Sequence, residues 1–135
     1  MIKWIGIRGD ESILAAEEEA AKLRDLSAQS QLIVQFVDFL PKVFPEWYEW
    51  NAFSFIVMEF CPGGSLKDWI DARKEQGRRT SVKEATVIGT QLAMALSFCH
   101  SQKLAHLDVK PANVMMMGDG YRVRSFFSFK LVKES

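Results

Sequence analysis

The segment Cys61-Pro62-Gly63-Gly64 most constrains what this chain can become. A proline removes a backbone donor, and two glycines in a row suit neither a strand nor a helix interior, so regular structure must stop there. Upstream, residues 32–40 and 52–60 are rich in Ile, Val and Phe and predict two strands, with 1–7 a shorter third. Residues 11–26 predict a helix, acidic at its start and carrying Lys22 and Arg24 near its end. Its buried face is expected to hold Ala16, Leu23 and Leu26, with Glu19 on the same face and Glu18 on the solvent side with Lys22 and Asp25. Between the two longer strands, Pro41 and Pro45 argue against a regular central strand. Trp47, Tyr48 and Trp50 are expected to cap the sheet edge, a partner-binding patch being the alternative.

Downstream of the break the periodicity changes. Ser65 opens a short helix with Asp68 as its capping partner, and Leu66, Trp69 and Ile70 form the apolar stripe. The charges from Asp71 to Arg79 read as a solvated helix end and loop. Ser81-Val82-Lys83-Glu84 is a second capping box. It begins the longest helix, from Val82 to about Gln102, with Ala85, Ile88, Leu92, Ala95, Leu96 and Cys99 along one side. A polar loop over 106–113 follows, then a hairpin of residues 114–117 and 121–126 around Gly118-Asp119-Gly120.

Composition excludes several function classes. Lys plus Arg and Asp plus Glu both number 17, so no basic excess marks a nucleic-acid surface. Two cysteines, Cys61 and Cys99, form neither a CxxC nor a metal-ligand cluster, and Cys99 reads as a small core residue. The apolar start is interrupted by Arg8, Asp10 and Glu11, unlike a secretory signal, and the apolar runs are too short to span a bilayer. A cytoplasmic or nuclear protein is the expectation.

The chemistry concentrates in His106-Leu107-Asp108-Val109-Lys110-Pro111-Ala112-Asn113. Phosphoryl transfer asks the protein mainly for positioning and for neutralisation of charge. One carboxylate orients the attacking hydroxyl and accepts its proton, a cation offsets the charge on the transferred group, and a neutral oxygen donor helps to hold Mg²⁺. Asp108, Lys110 and Asn113 suit these roles in that order. The segment resembles the protein-kinase catalytic loop H-R-D-x-K-x-x-N, and Lys110 followed by Pro111 is similar to the serine/threonine class.

The resemblance implies an α+β, protein-kinase-like fold that is partial. Residues 1–60 would be part of the small β-rich lobe, and 61–135 the first part of the helical lobe. Residues 57–66 resemble the hinge of that family. Met58 would be the gatekeeper, the backbone of Glu59 and Cys61 would bind the adenine edge of ATP, and Gly63 and Gly64 would let the chain pass close under the ribose. Glu19 resembles the regulatory-helix glutamate, which pairs with a strand lysine that holds the ATP phosphates, and Lys3 is the candidate for that lysine. The implied cofactors are ATP and Mg²⁺, with Asn113 as a metal ligand, and the implied partner is a protein substrate or a regulatory protein.

Three departures qualify this. Nothing before Lys3 supplies a glycine-rich loop. Leu107 replaces the arginine that usually receives an activation-loop phosphate, a feature similar to the Myt/Wee branch, whereas the hinge and long helix look as much like NIMA-related kinases. Ser125-Phe126-Phe127-Ser128-Phe129-Lys130 stands where the family carries D-F-G, and the only carboxylate beyond Asp119 is Glu134. The expectation is a fragment, truncated gene model or splice form of a serine/threonine kinase, inactive by itself. A pseudokinase-like interaction module is the alternative. Uncovered apolar faces of the long helix and final strand are expected to promote association.

Overall fold

The computed structural model describes residues 2–7, 10–43, 52–106, 109–118, 120–125 and 129–131. The chain divides into two units, Met1–Gln29 with Gln35–Phe60 and Ser30–Val34 with Cys61–Ser135. The aromatic turn of Trp47, Tyr48 and Trp50 lies outside the described residues.

In the first unit, β1 (Ile2–Ile7) and β2 (Phe36–Val43) flank β3 (Ala52–Met58) in an antiparallel sheet. Along β3 the buried residues Ser54, Ile56 and Met58 alternate with the half-buried Phe55 and Val57, the period-two pattern of a strand with one face on the core. The helix α1 (Asp10–Gln29) covers that core with Ala16, Ala20, Leu23 and Leu26, one stripe at helical spacing. Glu19 is half-buried on α1. The start of β2 is tied to α1 twice: the Phe36 N–H donates to Ser27 Oγ at 3.2 Å, and the Arg24 guanidinium lies 5.0 Å from the Phe36 ring centroid.

Two strand boundaries differ from the sequence expectation. Residues 32–35 are not part of β2, which instead continues through Pro41 to Val43. Pro41 is tolerated because β2 is an edge strand and its register with β3 shifts between Leu40 and Val43, so no central ladder needs its missing N–H.

The second unit begins with two capped helices. In α2 (Leu66–Glu75) the Ser65 side chain accepts from the Asp68 N–H while Asp68 accepts from the Ser65 N–H. Ser81 and Glu84 repeat the arrangement at the start of α3 (Val82–Ser101). Against these helices lie a hairpin of β5 (Val114–Met116) with β6 (Val123–Ser125), and β4 (Leu104–His106) paired with β7 (Phe129–Leu131). Leu66, Ile88, Val114, Met116 and Val123 form the core of this unit, with Trp69, Ile70 and Leu92 packed on it. Cys99 is fully buried, and burial pushes its thiol up to about 11, as a core residue would show.

On α3 the buried residue of the first turn is Glu84, and Ala85 is exposed. Glu84 is buried because Arg73, at the end of α2, meets it with both guanidinium nitrogens: Nη1 donates to Oε1 at 2.8 Å and Nη2 donates to Oε2. The same guanidinium sits 4.0 Å above the Trp69 ring. Arg73, then the Ser81 N–H, hold the Glu84 carboxyl down to about 2 from 4.5, against the opposing effect of burial. A carboxyl depressed in the folded state stabilises above its unfolded value, and that contribution is lost as pH falls through the folded one. Glu84→Gln, which keeps the cap, is therefore expected to lower the urea midpoint at neutral pH and to flatten its decline between pH 4.5 and about 2. An unchanged acid limb in the variant would show that Arg73 is not the partner that matters.

Candidate functional site

The loop singled out in the sequence leaves β4 at His106 and re-enters regular structure at Pro111. Lys110 is extended, with φ −155° and ψ 157°, as expected of a residue that precedes proline. Pro111–Asn113 forms a single 3-10 turn closed by the Asn113 N–H donating to the Lys110 carbonyl at 2.9 Å. Val114 then enters β5 and is buried, which fixes the end of the turn. The turn packs against α2. Lys110 is exposed and Asn113 half-buried. The structure thus brings the cation and the amide into one turn, while Asp108 and Leu107 lie outside the described residues.

The strand β5 is held by the Cys61-Pro62-Gly63-Gly64 break. The Gly63 N–H donates to the Met116 carbonyl at 2.9 Å, and the Met116 N–H donates to the Gly64 carbonyl at 2.8 Å. Gly63 is required here because a Cβ would lie 2.7 Å from Met116 Cβ and 2.8 Å from the Met116 carbonyl oxygen. Two further segments hold β6 or the turn before it. Gln91 on α3 donates from Nε2 to the Tyr121 carbonyl at 2.8 Å and accepts at Oε1 from the Val123 N–H at 3.0 Å. Ser125 donates its N–H to the Leu32 carbonyl at 2.7 Å, and its carbonyl accepts from the Val34 N–H at 3.0 Å. Neither Gln91 nor residues 32–34 stood out in the sequence. A lone glutamine on a half-apolar helix face carries no spacing signal, and 32–34 looked like ordinary strand.

The remaining expected site residues sit as follows. Met58 is buried in the first unit. The Glu59 N–H donates to the Gln35 carbonyl at 2.9 Å, and Glu59 Oε1 accepts from the Gln35 N–H at 3.0 Å. A ligand at Glu59 would therefore have to use the carbonyl and not the N–H. At Cys61 the carbonyl accepts from the Gly64 N–H at 3.2 Å and the side chain is buried. Lys3 is placed on β1, opposite Ile56 of β3, and its pairing with Glu19 lies outside what is described.

Asn113 carries one side-chain amide oxygen, the ligand type that Mg²⁺ takes. Among the described residues no three His, Cys, Asp or Glu side chains converge. On β6 the Ser125 Oγ is buried without a hydrogen-bond partner among the described residues, and Phe126, Phe127 and Ser128, part of the run that stands where the family carries D-F-G, lie outside them.

A small antiparallel sheet with one helix, followed by capped helices and a His-Leu-Asp-Val-Lys-Pro-Ala-Asn loop between short strands, defines the class as kinase-like α+β. A family model described as "Protein kinase domain" matches residues 2–132, and the chain belongs to the protein kinase family. The chain is 33% identical to protein kinase PINOID 2 of Oryza sativa over 69% of its own length and 18% of that protein's. It is 29% identical to Wee1-like protein kinase 2 of Xenopus tropicalis over 81% and 19%, and 39% identical to the serine/threonine-protein kinase ULK3 of Rattus norvegicus over 62% and 15%. It thus spans about a fifth of the length of the curated relatives it matches. The twitchin kinase fragment of C. elegans superposes with a TM-score of 0.71 at 19% identity, over 93% of this chain and 26% of that one, which establishes the fold. Among the described residues no helix is long and apolar enough to cross a membrane.

Proposed function

We propose that this chain is a segment of a serine/threonine kinase domain. In the complete parent protein the 106–113 loop would perform ATP-dependent transfer of a phosphoryl group to Ser or Thr hydroxyls of a protein substrate. The observation that carries the reading is the ordered turn that follows Lys110 and ends at Asn113 at the entrance to β5. Asp108 would accept the proton of the attacking hydroxyl, Lys110 would offset charge on the moving phosphoryl group, and Asn113 would contribute one oxygen toward Mg²⁺. Met58, Glu59 through its carbonyl and Cys61 through its N–H would meet the adenine, and Lys3 with Glu19 would serve the phosphates. The division at residue 60 would separate the two lobes. A cytoplasmic or nuclear location is part of the same proposal.

The chain by itself is expected to transfer no phosphate, because the run Ser125-Phe126-Phe127-Ser128-Phe129-Lys130 has no carboxylate where the family carries its metal-binding aspartate. Incubation with Mg²⁺-ATP and a mixed peptide library checks this: phosphorylation that disappears in Asp108→Asn overturns it. For the parent protein, the genomic sequence beyond Ser135 is the test. A D-F-G-type motif and an activation segment in the same transcript support the kinase reading, and a verified stop codon in abundant message sinks it.

The carboxylate-free run from Ser125 to Lys130 also favours a second reading, a pseudokinase-like module that engages a regulatory partner without catalysis. A thermal-shift titration separates the two. Stabilisation by ATP that requires Mg²⁺ argues for a catalytic ancestry still in use, and stabilisation indifferent to Mg²⁺ argues for the module.

A further inference from the structure

Tyr121 adopts φ 59°, the left-handed region that a side chain occupies at a cost and that glycine or asparagine would occupy easily. It keeps that conformation because the backbone around it is held. Gln91 fixes the Tyr121 carbonyl and the Val123 N–H, and the Met117 N–H donates to the Arg122 carbonyl at 3.0 Å to close the turn. An aromatic side chain in a strained position suggests that its placement serves something. What the placement achieves is a corner. The Tyr121 ring stands at 79° to the Trp69 ring, with centroids 6.2 Å apart, and Tyr121 remains 37% exposed. Trp69 is held in turn by the Arg73 guanidinium above its ring, itself fixed by Glu84.

The corner forms two walls of a cleft of about 280 Å³. Among the described residues, Met116 and the glycines 63, 118 and 120 supply the rest, a thioether and side-chain-free backbone. Of the residues that the resemblance assigns to phosphoryl transfer or to ATP, Gly63 alone is among its lining residues. We propose that this cleft binds a small, planar, uncharged aromatic molecule of one or two rings. A ring entering a right-angled aromatic corner can stack offset on one wall while presenting its edge to the other, the two arrangements that aromatic pairs prefer. The Met116 sulfur adds a polarisable contact. Glycine backbone allows a flat approach without a projecting Cβ. The volume lies just below the range typical of drug-sized ligands, which sets the limit of two rings. The charge state follows from Arg73: its guanidinium lies 4.0 Å from the Trp69 ring centroid, so a cationic ring at that indole would have a like charge beside it.

The test uses the full chain, ¹⁵N-labelled, titrated with indole, with cyclohexanol as a non-planar control. Indole is expected to shift the amides of Gly63, Gly118 and Gly120 and the Trp69 indole N–H saturably, with a dissociation constant on the order of 1 mM. Cyclohexanol is expected to leave them in place. Tyr121→Asn keeps a residue that tolerates the left-handed backbone, so the spectrum elsewhere is retained while indole affinity falls at least roughly tenfold. Intermolecular NOEs from indole to the Met116 methyl and the Tyr121 ring in the wild-type chain provide a reading independent of any variant. Non-saturating shifts, equal response to cyclohexanol, undiminished binding in Tyr121→Asn, or NOEs to other residues each overturn the proposal.

Discussion

Gly63→Ala is expected to destabilise the second unit by about 3 kcal/mol and to lower the melting temperature by roughly 10 °C. The added methyl would lie 2.7 Å from Met116 Cβ, 2.8 Å from the Met116 carbonyl oxygen and 3.0 Å from the Gly118 N. None of these is the far end of a flexible side chain, so relief requires the backbone of β5 or of the glycine pair to move. That movement loosens the two hydrogen bonds joining Gly63 and Gly64 to Met116. The cost is steric and not conformational, since Gly63, unlike Gly64, does not use a positive φ. Gly89→Ala is the matched control. Gly89 lies inside α3, and a Cβ there meets nothing within 4 Å, so the substitution should stabilise the chain by about 0.5–1 kcal/mol. Chemical denaturation of both variants decides the matter: equal and small effects would mean that the Gly63 segment does not clasp β5.

The second large effect is expected at Ile88. Its side chain is buried in the core with Leu66, Val114, Met116 and Val123 and belongs to the helix face that supports the hairpin. Ile88→Ala should cost about 3 kcal/mol, the lost transfer energy plus a cavity, and Ile88→Val about 1 kcal/mol. Because Val114 follows Asn113 directly, the loss should also appear as faster amide exchange at Val114, Met116 and Val123, with β1 to β3 of the first unit little affected. If exchange accelerates equally at Ile56 in β3, the two units do not unfold as separate bodies and this expectation fails.

Local chemistry made the helices legible. Ser65 with Asp68 and Ser81 with Glu84 announce helix starts through groups only a few residues apart, and both boxes are present as expected. The same locality hid Glu84's other role, since its pairing with Arg73 depends on how two helices pack. Pro41 argued only against a central strand, and the continuation of β2 through it to Val43 depends on that strand's lying at an edge, which a strand's own residues do not reveal. The strand β7 escaped because its pairing with β4 is set by tertiary register. At the site, the 106–113 loop was readable as a motif, and Met58 as a strand residue. The commitment of the Glu59 N–H to Gln35 was not, because it arises where β3 ends against the backbone leading into β2.

The hairpin that follows the loop is secured by residues 32–34, 63–64 and 91, all synthesised before it. During translation these segments must wait with their bonding groups directed at solvent until β5 and β6 leave the ribosome. The second unit therefore starts at Ser30 yet cannot close until Ser125 arrives. A nascent chain of this kind folds late and depends on long-range contacts, so chaperone demand during synthesis should be high even where the finished hairpin is firmly held.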